Sequence, residues 1–142
     1  MQTSARNQFP GIVSTVHTGT VNDEVELTLA SGHKLVATVT RDSRESLKLE
    51  RGVQAIVLVK ASAIVLVGDA DGYKFSARNQ ISGRVAKVAP GAVNTEIELD
   101  AGGGVRIVAI ITNHSAASLG LEVGANATAL FKATQVIVAV AA

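Results

Sequence analysis

Cysteine and tryptophan are absent from the 142 residues, and the chain holds only one tyrosine, three phenylalanines and two prolines. Without cysteine there is no disulfide framework and no thiolate metal site, which suits a cytoplasmic protein. The formal net charge of +1 provides no bulk field to attract nucleic acid or an anionic membrane. The scarcity of aromatic side chains leaves little material for stacking on nucleic-acid bases. We therefore expect no nucleic-acid partner and no membrane partner.

Long hydrophobic runs are also missing, although 47% of the residues are hydrophobic. The strongest run, AIVLVKASAIVLVG, is interrupted by Lys60, and no run approaches the ~20 residues that span a bilayer. The N-terminal stretch MQTSARNQFPG has no apolar segment of the kind found in secretory signals. The apolar residues are therefore expected to fill a core or a subunit interface in a cytoplasmic protein.

What the chain does contain is a long internal repeat. The tetrapeptide SARN occurs at 4–7 and again at 76–79, and residues 4–70 align on 76–142 without a gap. GIVSTVHTGTVNDEVEL lies over GRVAKVAPGAVNTEIEL, and SLKLERGVQAIVLVKAS lies over SLGLEVGANATALFKAT. Two copies are too few for a solenoid. The repeat therefore predicts two small domains, 1–70 and 76–142, joined by a linker at 71–75 beside the turn-forming GDADG.

Each copy has the pattern of a mainly β domain. From Glu24 to Leu29, polar residues alternate with Val and Leu, as in a half-buried strand. Thr18–Thr20 and Pro90–Ala92 indicate turns. Residues 42–47 favour a short helix, with Thr40 or Asp42 as its N-cap. Two apolar runs, 55–59 and 63–67, then predict the last two strands.

This order of elements predicts two tandem OB-like five-stranded barrels, each with a short helix between strands 3 and 4. All five strands of a barrel are expected to come from one copy. Barrels of so few residues have thin cores and are only marginally stable alone. We therefore expect oligomerisation to bury further apolar surface.

The two copies also allow candidate chemistry to be compared internally. None of the three histidines, His17, His33 and His114, faces a histidine in the other copy. No Ser–His–Asp or Cys–His arrangement recurs, and the phosphate-binding pattern G-x-x-x-x-G-K-[ST] is absent. The sequence therefore predicts a protein that is not an enzyme, with no catalytic residues, no catalytic cofactor and no direct protein–metal ligands.

The polar residues kept in both copies are mostly hydrogen-bond donors. One arginine, one lysine and several hydroxyls recur, and this combination suits a small oxyanion. Two of the hydroxyls, Thr40 and Ser43, lie at the predicted helix start, where free N–H groups favour anions. Each feature also has a plainer interpretation, since the arginine and lysine could be solvated and Asn22 could shape a hairpin. The recurring Glu24 and Glu26 are interpreted as a solvated strand face.

Taken together, these motifs resemble the Mop domain of the molbindins, which are small molybdate-binding proteins. The residues that carry the resemblance are SARNQ, the pattern G-x-V-N-x-E after the first turn, T-x-x-S, and V-K-A-S in the first copy with F-K-A-T in the second. The resemblance extends over both halves, so the chain is similar to the two-copy, or di-Mop, molbindins.

The resemblance implies a homotrimer whose six barrels form a pseudo-hexamer. It also implies reversible binding of molybdate, and of tungstate, for intracellular storage, buffering and homeostasis. The sites that it implies between subunits comprise Ser4, Arg6, Lys60 and Ala61 with Thr40 and Ser43 of a neighbouring chain, and Ser76, Arg78, Lys132 and Ala133 with Thr112 and Ser115. The additional sites that it implies near the threefold axis comprise Gly19, Val21, Asn22, Gly91, Val93 and Asn94.

Three other functions stay open at this point. The chain could be a detached molybdate-sensing module that acts through a partner, because it has no room for a DNA-binding or ATPase domain of its own. An OB-type nucleic-acid binder is disfavoured by charge and by the few aromatic residues. A purely structural oligomer would make the recurring donors a coincidence.

Overall fold

The computed structural model describes all 142 residues, as ten strands and two short α helices. The first copy contains β1 (Asn7–His17), β2 (Asn22–Leu29), β3 (Lys34–Thr40), α1 (Arg41–Ser46), β4 (Gln54–Val59) and β5 (Val65–Val67). The second copy contains β6 (Asn79–Pro90), β7 (Asn94–Gly102), β8 (Val105–Thr112), α2 (Asn113–Ser118), β9 (Asn126–Phe131) and β10 (Ile137–Ala139).

The strands form two five-stranded sheets that exchange one strand. Their orders are β10-β4-β1-β2-β3 and β5-β9-β6-β7-β8. The first copy's β5 thus pairs antiparallel with β9, with Val65 opposite Leu130, and the second copy's β10 pairs with β4. The prediction of a mainly β chain with two five-stranded OB-like units and a short helix after each third strand is confirmed.

The expectation that all five strands of a barrel come from one copy is wrong, because the fifth strand is exchanged. A short 3-10 turn, Ala61–Ala63, follows β4 and directs the chain away from its own sheet. The sequence could not distinguish the two pairings, since β4 and β9 are equivalent segments that offer similar apolar edges. The division at 71–75 remains a prediction about the two sequence halves.

The strand exchange is accompanied by a shared core. A single cluster of 26 buried apolar residues includes side chains from both copies, among them Leu27, Leu35, Leu99 and Phe131. Two thin cores are therefore replaced by one larger core, which buries more apolar surface than either half could bury alone. The 3-10 turn of each copy lies against the third strand of the other, which extends this contact.

The N-cap hydrogen bonds are the same in the two helices. The side chain of Thr40 accepts a hydrogen bond from the Ser43 backbone N–H at 3.1 Å, and Thr112 accepts one from Ser115 at 3.1 Å. Of the two predicted N-caps, the structure therefore selects Thr40 rather than Asp42. Neither helix is long and apolar enough to cross a membrane.

Candidate anion-binding site

The asparagine of each SARN motif joins the two copies. Asn79 is 1% exposed, its amide nitrogen donates to the Val36 carbonyl at 2.8 Å, and its amide oxygen accepts from the Val36 N–H at 2.8 Å. Asn7 makes the same two bonds with Val108, each at 2.8 Å. Each asparagine therefore acts like one residue of an extra strand on the edge of β3 or β8. The recurrence of the asparagine is visible in the sequence, but this role is not, because its partner lies in the other copy.

The arginine of each SARN motif also reaches the other copy. Arg78 donates two hydrogen bonds to the carboxylate of Glu24, at 2.6 and 2.8 Å. Arg6 donates one to the carboxylate of Glu96. The interpretation of Glu24 as part of a solvated strand face is therefore incomplete, because this recurring carboxylate is the partner of a recurring arginine. Both arginine side chains remain about half exposed, at 50% and 55%.

The two recurring lysines face one cleft. A cleft of about 430 Å³ is lined by Lys60, Lys132 and Ser76, with Phe75 and Phe131 on its apolar side. The resemblance to the Mop domain implies that Lys60 belongs to one site and that Ser76 and Lys132 belong to another. In the structure all three residues line the same cleft. Two ammonium groups beside a hydroxyl suit a small dianion. The polar residues Ser62 and Gln135 also line this cleft. Neither is identical in the two copies, so comparing the copies does not select them.

The remaining predicted residues lie around the cleft or away from it. Ala61 and Ala133 are buried, at 3% and 6% exposure, in the 3-10 turns that follow the lysines. Ser4 is exposed just before Arg6. The hydroxyls at the helix starts do not line the cleft and bond to each other, at 2.9 Å in each copy; they are Thr40 with Ser43, and Thr112 with Ser115.

The turns predicted for the axial sites are tied to the helix starts. The Arg41 N–H donates to the Val21 carbonyl at 3.2 Å, and the Arg41 guanidinium donates to the Gly19 carbonyl. Val21, which has the residue type of a strand, instead lies in this turn and is 71% exposed, with Asn22 beginning β2. Its counterpart Val93 has the same exposure.

The second axial turn is held in the same way. Asn113 donates through its backbone to the Val93 carbonyl at 2.9 Å and through its side chain to the Gly91 carbonyl at 2.9 Å. Asn94 then begins β7. In both copies, therefore, an axial turn and a helix start form one hydrogen-bonded unit.

The side chains that support the turn and the helix start are charged in the first copy and neutral in the second. In the first copy the buried Asp23 accepts from the Arg44 guanidinium and from the Gly19 N–H. The Arg44 hydrogen bond lowers the pKa of Asp23; burial opposes this shift and the Gly19 bond supports it. In the second copy Thr95 instead donates to the side-chain oxygen of Asn113 at 2.6 Å. No group of three histidine, aspartate or glutamate side chains lies close enough to hold a metal ion.

Comparison with known proteins shows which family and fold the chain is similar to. The TOBE domain pattern matches residues 3–66 and 76–138. The fold matches that of ModG, described as a cytoplasmic molybdate-binding protein and crystallised with molybdate bound. The TM-score is 0.97 at 44% identity, and the match covers 99% of this chain and 100% of ModG.

Two curated relatives are similar over nearly the whole chain. The molybdenum transport protein ModE of Herbaspirillum seropedicae is 47% identical over 140 residues, which is 99% of this chain and 52% of that protein. The molybdenum-pterin-binding protein MopA of Rhodobacter capsulatus is 47% identical over 139 residues, 98% of this chain and 52% of that protein. The chain thus spans about half the length of these relatives. With two TOBE domains and the ModG fold, the chain belongs to the molbindin family.

Proposed function

We propose that this chain binds molybdate, and tungstate with it, reversibly in the cytoplasm for storage and buffering. The observation that carries the proposal is the single cleft that Lys60, Lys132 and Ser76 line. The near-complete likeness to molybdate-bound ModG supports molybdate as the anion. Binding alone, without a catalytic step, is the proposed activity.

The proposed interface sites combine cationic groups with hydroxyls from neighbouring chains. One site comprises Ser4, Arg6, Lys60 and Ala61, completed by Thr40 and Ser43 of the next chain, and the second comprises the equivalent residues of the other copy. Arg6 of the first copy bonds to Glu96 of the second, and Lys60 and Lys132 line one cleft. Both observations support binding sites at the boundaries between OB-like domains. At the helix starts, Thr40, Ser43 and Thr112 are exposed and Ser115 is half-buried, so a second chain could approach their hydroxyls.

A homotrimer, with six OB-like units as a pseudo-hexamer, would complete these sites. The exposed Val21 and Val93, each 71% exposed at a turn tip, support burial of these turns against other copies. Such packing would also bring together the proposed axial sites formed by Gly19, Val21 and Asn22 and by Gly91, Val93 and Asn94.

Binding in these sites is non-covalent. Molybdate is a tetrahedral dianion, so about two positive charges neutralise it, while hydroxyl and N–H donors replace its water. Arg6 and Lys60 supply the charge in the first copy. Because molybdate and tungstate are larger than sulfate, a site of their size rejects sulfate but discriminates weakly between the two metals.

The test is calorimetric titration of the anion-free protein with sodium molybdate, in the presence of excess sulfate. Replacing Arg6 and Arg78 by alanine together removes one charge-assisted donor per site. We expect affinity to fall by about ten- to a hundredfold, or roughly 1.5–3 kcal/mol. Arg106→Ala is the matched control, because Arg106 pairs with Glu98 at 3.1 Å and belongs to no proposed site. Absence of molybdate binding by the native protein would refute the proposed function, and unchanged affinity in the double variant would refute the assignment of Arg6 and Arg78 to the sites.

A second candidate follows from the length of the relatives. Because the chain matches only about half of each curated relative, it could serve as the molybdate-sensing part of a larger regulatory system. Affinity capture with and without molybdate distinguishes this role from storage. A partner recovered stoichiometrically in only one of the two conditions would favour sensing, and the absence of such a partner would favour storage.

A further inference from the structure

We propose that Glu24 and Glu96 are built-in competitors of the bound anion, each holding the site arginine of the other copy. This inference rests on the proposed molybdate-binding function. It assigns a role to two recurring carboxylates that an anion-binding site does not need for binding. Their presence beside the site arginines instead sets the affinity at which the anion is captured and released.

The competition follows from the geometry of the two ion pairs. Glu24 binds Arg78, and Glu96 binds Arg6, so each carboxylate forms an ion pair with an arginine of the other copy. A guanidinium presents a planar fork that fits carboxylates and tetrahedral oxyanions alike. A molybdate ion in either proposed site therefore meets an arginine that already has an anionic partner.

The ion pairs are placed so that they can open while the fold stays intact. The next residue in each motif, Asn7 or Asn79, is buried and bonded to the opposite copy. The backbone beside the arginine is consequently fixed, while the half-exposed guanidinium is held by its carboxylate. Exposed ion pairs contribute little to stability, so a dianion can displace a single carboxylate.

The two competitors are not equal. Arg78 makes two hydrogen bonds with Glu24, whereas Arg6 makes one with Glu96. The second-copy site, which contains Arg78, is therefore held more firmly in its ion-paired state. We infer that this site binds molybdate more weakly than the first-copy site.

The experiment isolates one site at a time. In an Arg6→Ala background, calorimetric titration with sodium molybdate reports mainly the second-copy site, and Glu24→Gln is then added. We expect the affinity for molybdate to rise by about two- to fivefold, because an exposed ion pair is weak and its removal frees the arginine at only a small gain. In an Arg78→Ala background, Glu96→Gln should produce a smaller rise at the first-copy site.

Two controls separate competition from other effects of substitution. Glu26→Gln removes the same charge from the same face of β2, but Glu26 lies near Lys34 at 3.9 Å, and it should leave affinity unchanged. Glu24→Asp keeps the charge and should raise affinity less than Glu24→Gln. If Glu24→Gln lowers the melting temperature strongly, the Glu96→Gln arm provides the test in the other copy.

Each outcome has a definite meaning. A fall in affinity after Glu24→Gln would show that the carboxylate positions the arginine, and the competition proposal would be overturned. Unchanged affinity would overturn it as well. Absence of molybdate binding by the unmodified protein would instead refute the proposed function, and with it this inference, before any glutamate variant is compared.

Discussion

The two copies hold the same turn against the same helix by different chemistry. In the first copy the buried Asp23 binds Arg44, and Arg41 reaches the Gly19 carbonyl. In the second copy neutral side chains take over, with Thr95 bonded to Asn113 and Asn113 to the Gly91 carbonyl. The backbone bonds between turn and helix start are nevertheless the same. A charged network and a neutral one thus support one geometry.

The opposite end of each unit shows a second contrast. A cleft of about 940 Å³ in the first copy is lined by apolar side chains such as Ile12, Leu29 and Ile56. Its equivalent in the second copy, about 530 Å³, is lined by polar side chains such as Arg84 and Thr128. The motifs SARN, T-x-x-S and K-A stay the same while these clefts differ. Where the copies agree, we infer a shared requirement for folding or binding; where they differ, the fold tolerates either chemistry.

Removing the asparagine that joins the two copies should reduce stability the most. Asn79→Ala leaves the Val36 N–H and carbonyl without their partner, and we expect it to lower the free energy of unfolding by about 2–3 kcal/mol. Chemical denaturation measures this. Asn7→Ala should cost a similar amount, whereas Gln80→Ala, at an exposed neighbour, should change stability little. Clearly unequal costs at the two asparagines would contradict their equivalence.

The contribution of Asp23 to stability should depend on pH. Because the pKa of Asp23 is lowered in the folded state, its contribution to stability is present above the unfolded value of about 3.9. This contribution is lost as pH falls through the lower folded pKa. Thermal unfolding from pH 6 downward should show the stability difference between the native protein and Asp23→Asn shrinking in acid. The stability difference between the native protein and Thr95→Val should stay constant over the same pH range. If it also shrank in acid, the two copies would not differ as a charged and a neutral network.

The smallest effect is expected at the dissimilar clefts. Ile12→Arg places the side-chain type of the second copy at the equivalent position of the first, where Ile12 is 49% exposed. We expect stability to change by no more than about 0.5 kcal/mol. Val13→Ala, at the adjacent buried residue, should cost more than 1 kcal/mol and is the contrast. A large loss for Ile12→Arg would show that the apolar cleft supports the fold.

The local elements and the repeat can be predicted from the amino-acid sequence. The alternation from Glu24 to Leu29 specifies a strand with one buried face, and Thr40 with Ser43 specifies a helix cap. Both depend on interactions within a few residues, which is why they could be predicted. The gapless alignment of the two SARN motifs likewise established that the halves share one architecture.

The way in which the two halves combine depends on contacts between residues that are far apart in the sequence. The apolar residues of β5 and β10 fit either sheet, so pairing was chosen by where the 3-10 turns direct the chain. The partners of Asn7, Asn79, Arg6 and Arg78 all lie in the opposite copy, far away along the sequence. Local patterns carry no information about such contacts, because each amide or guanidinium has its partner in the other copy.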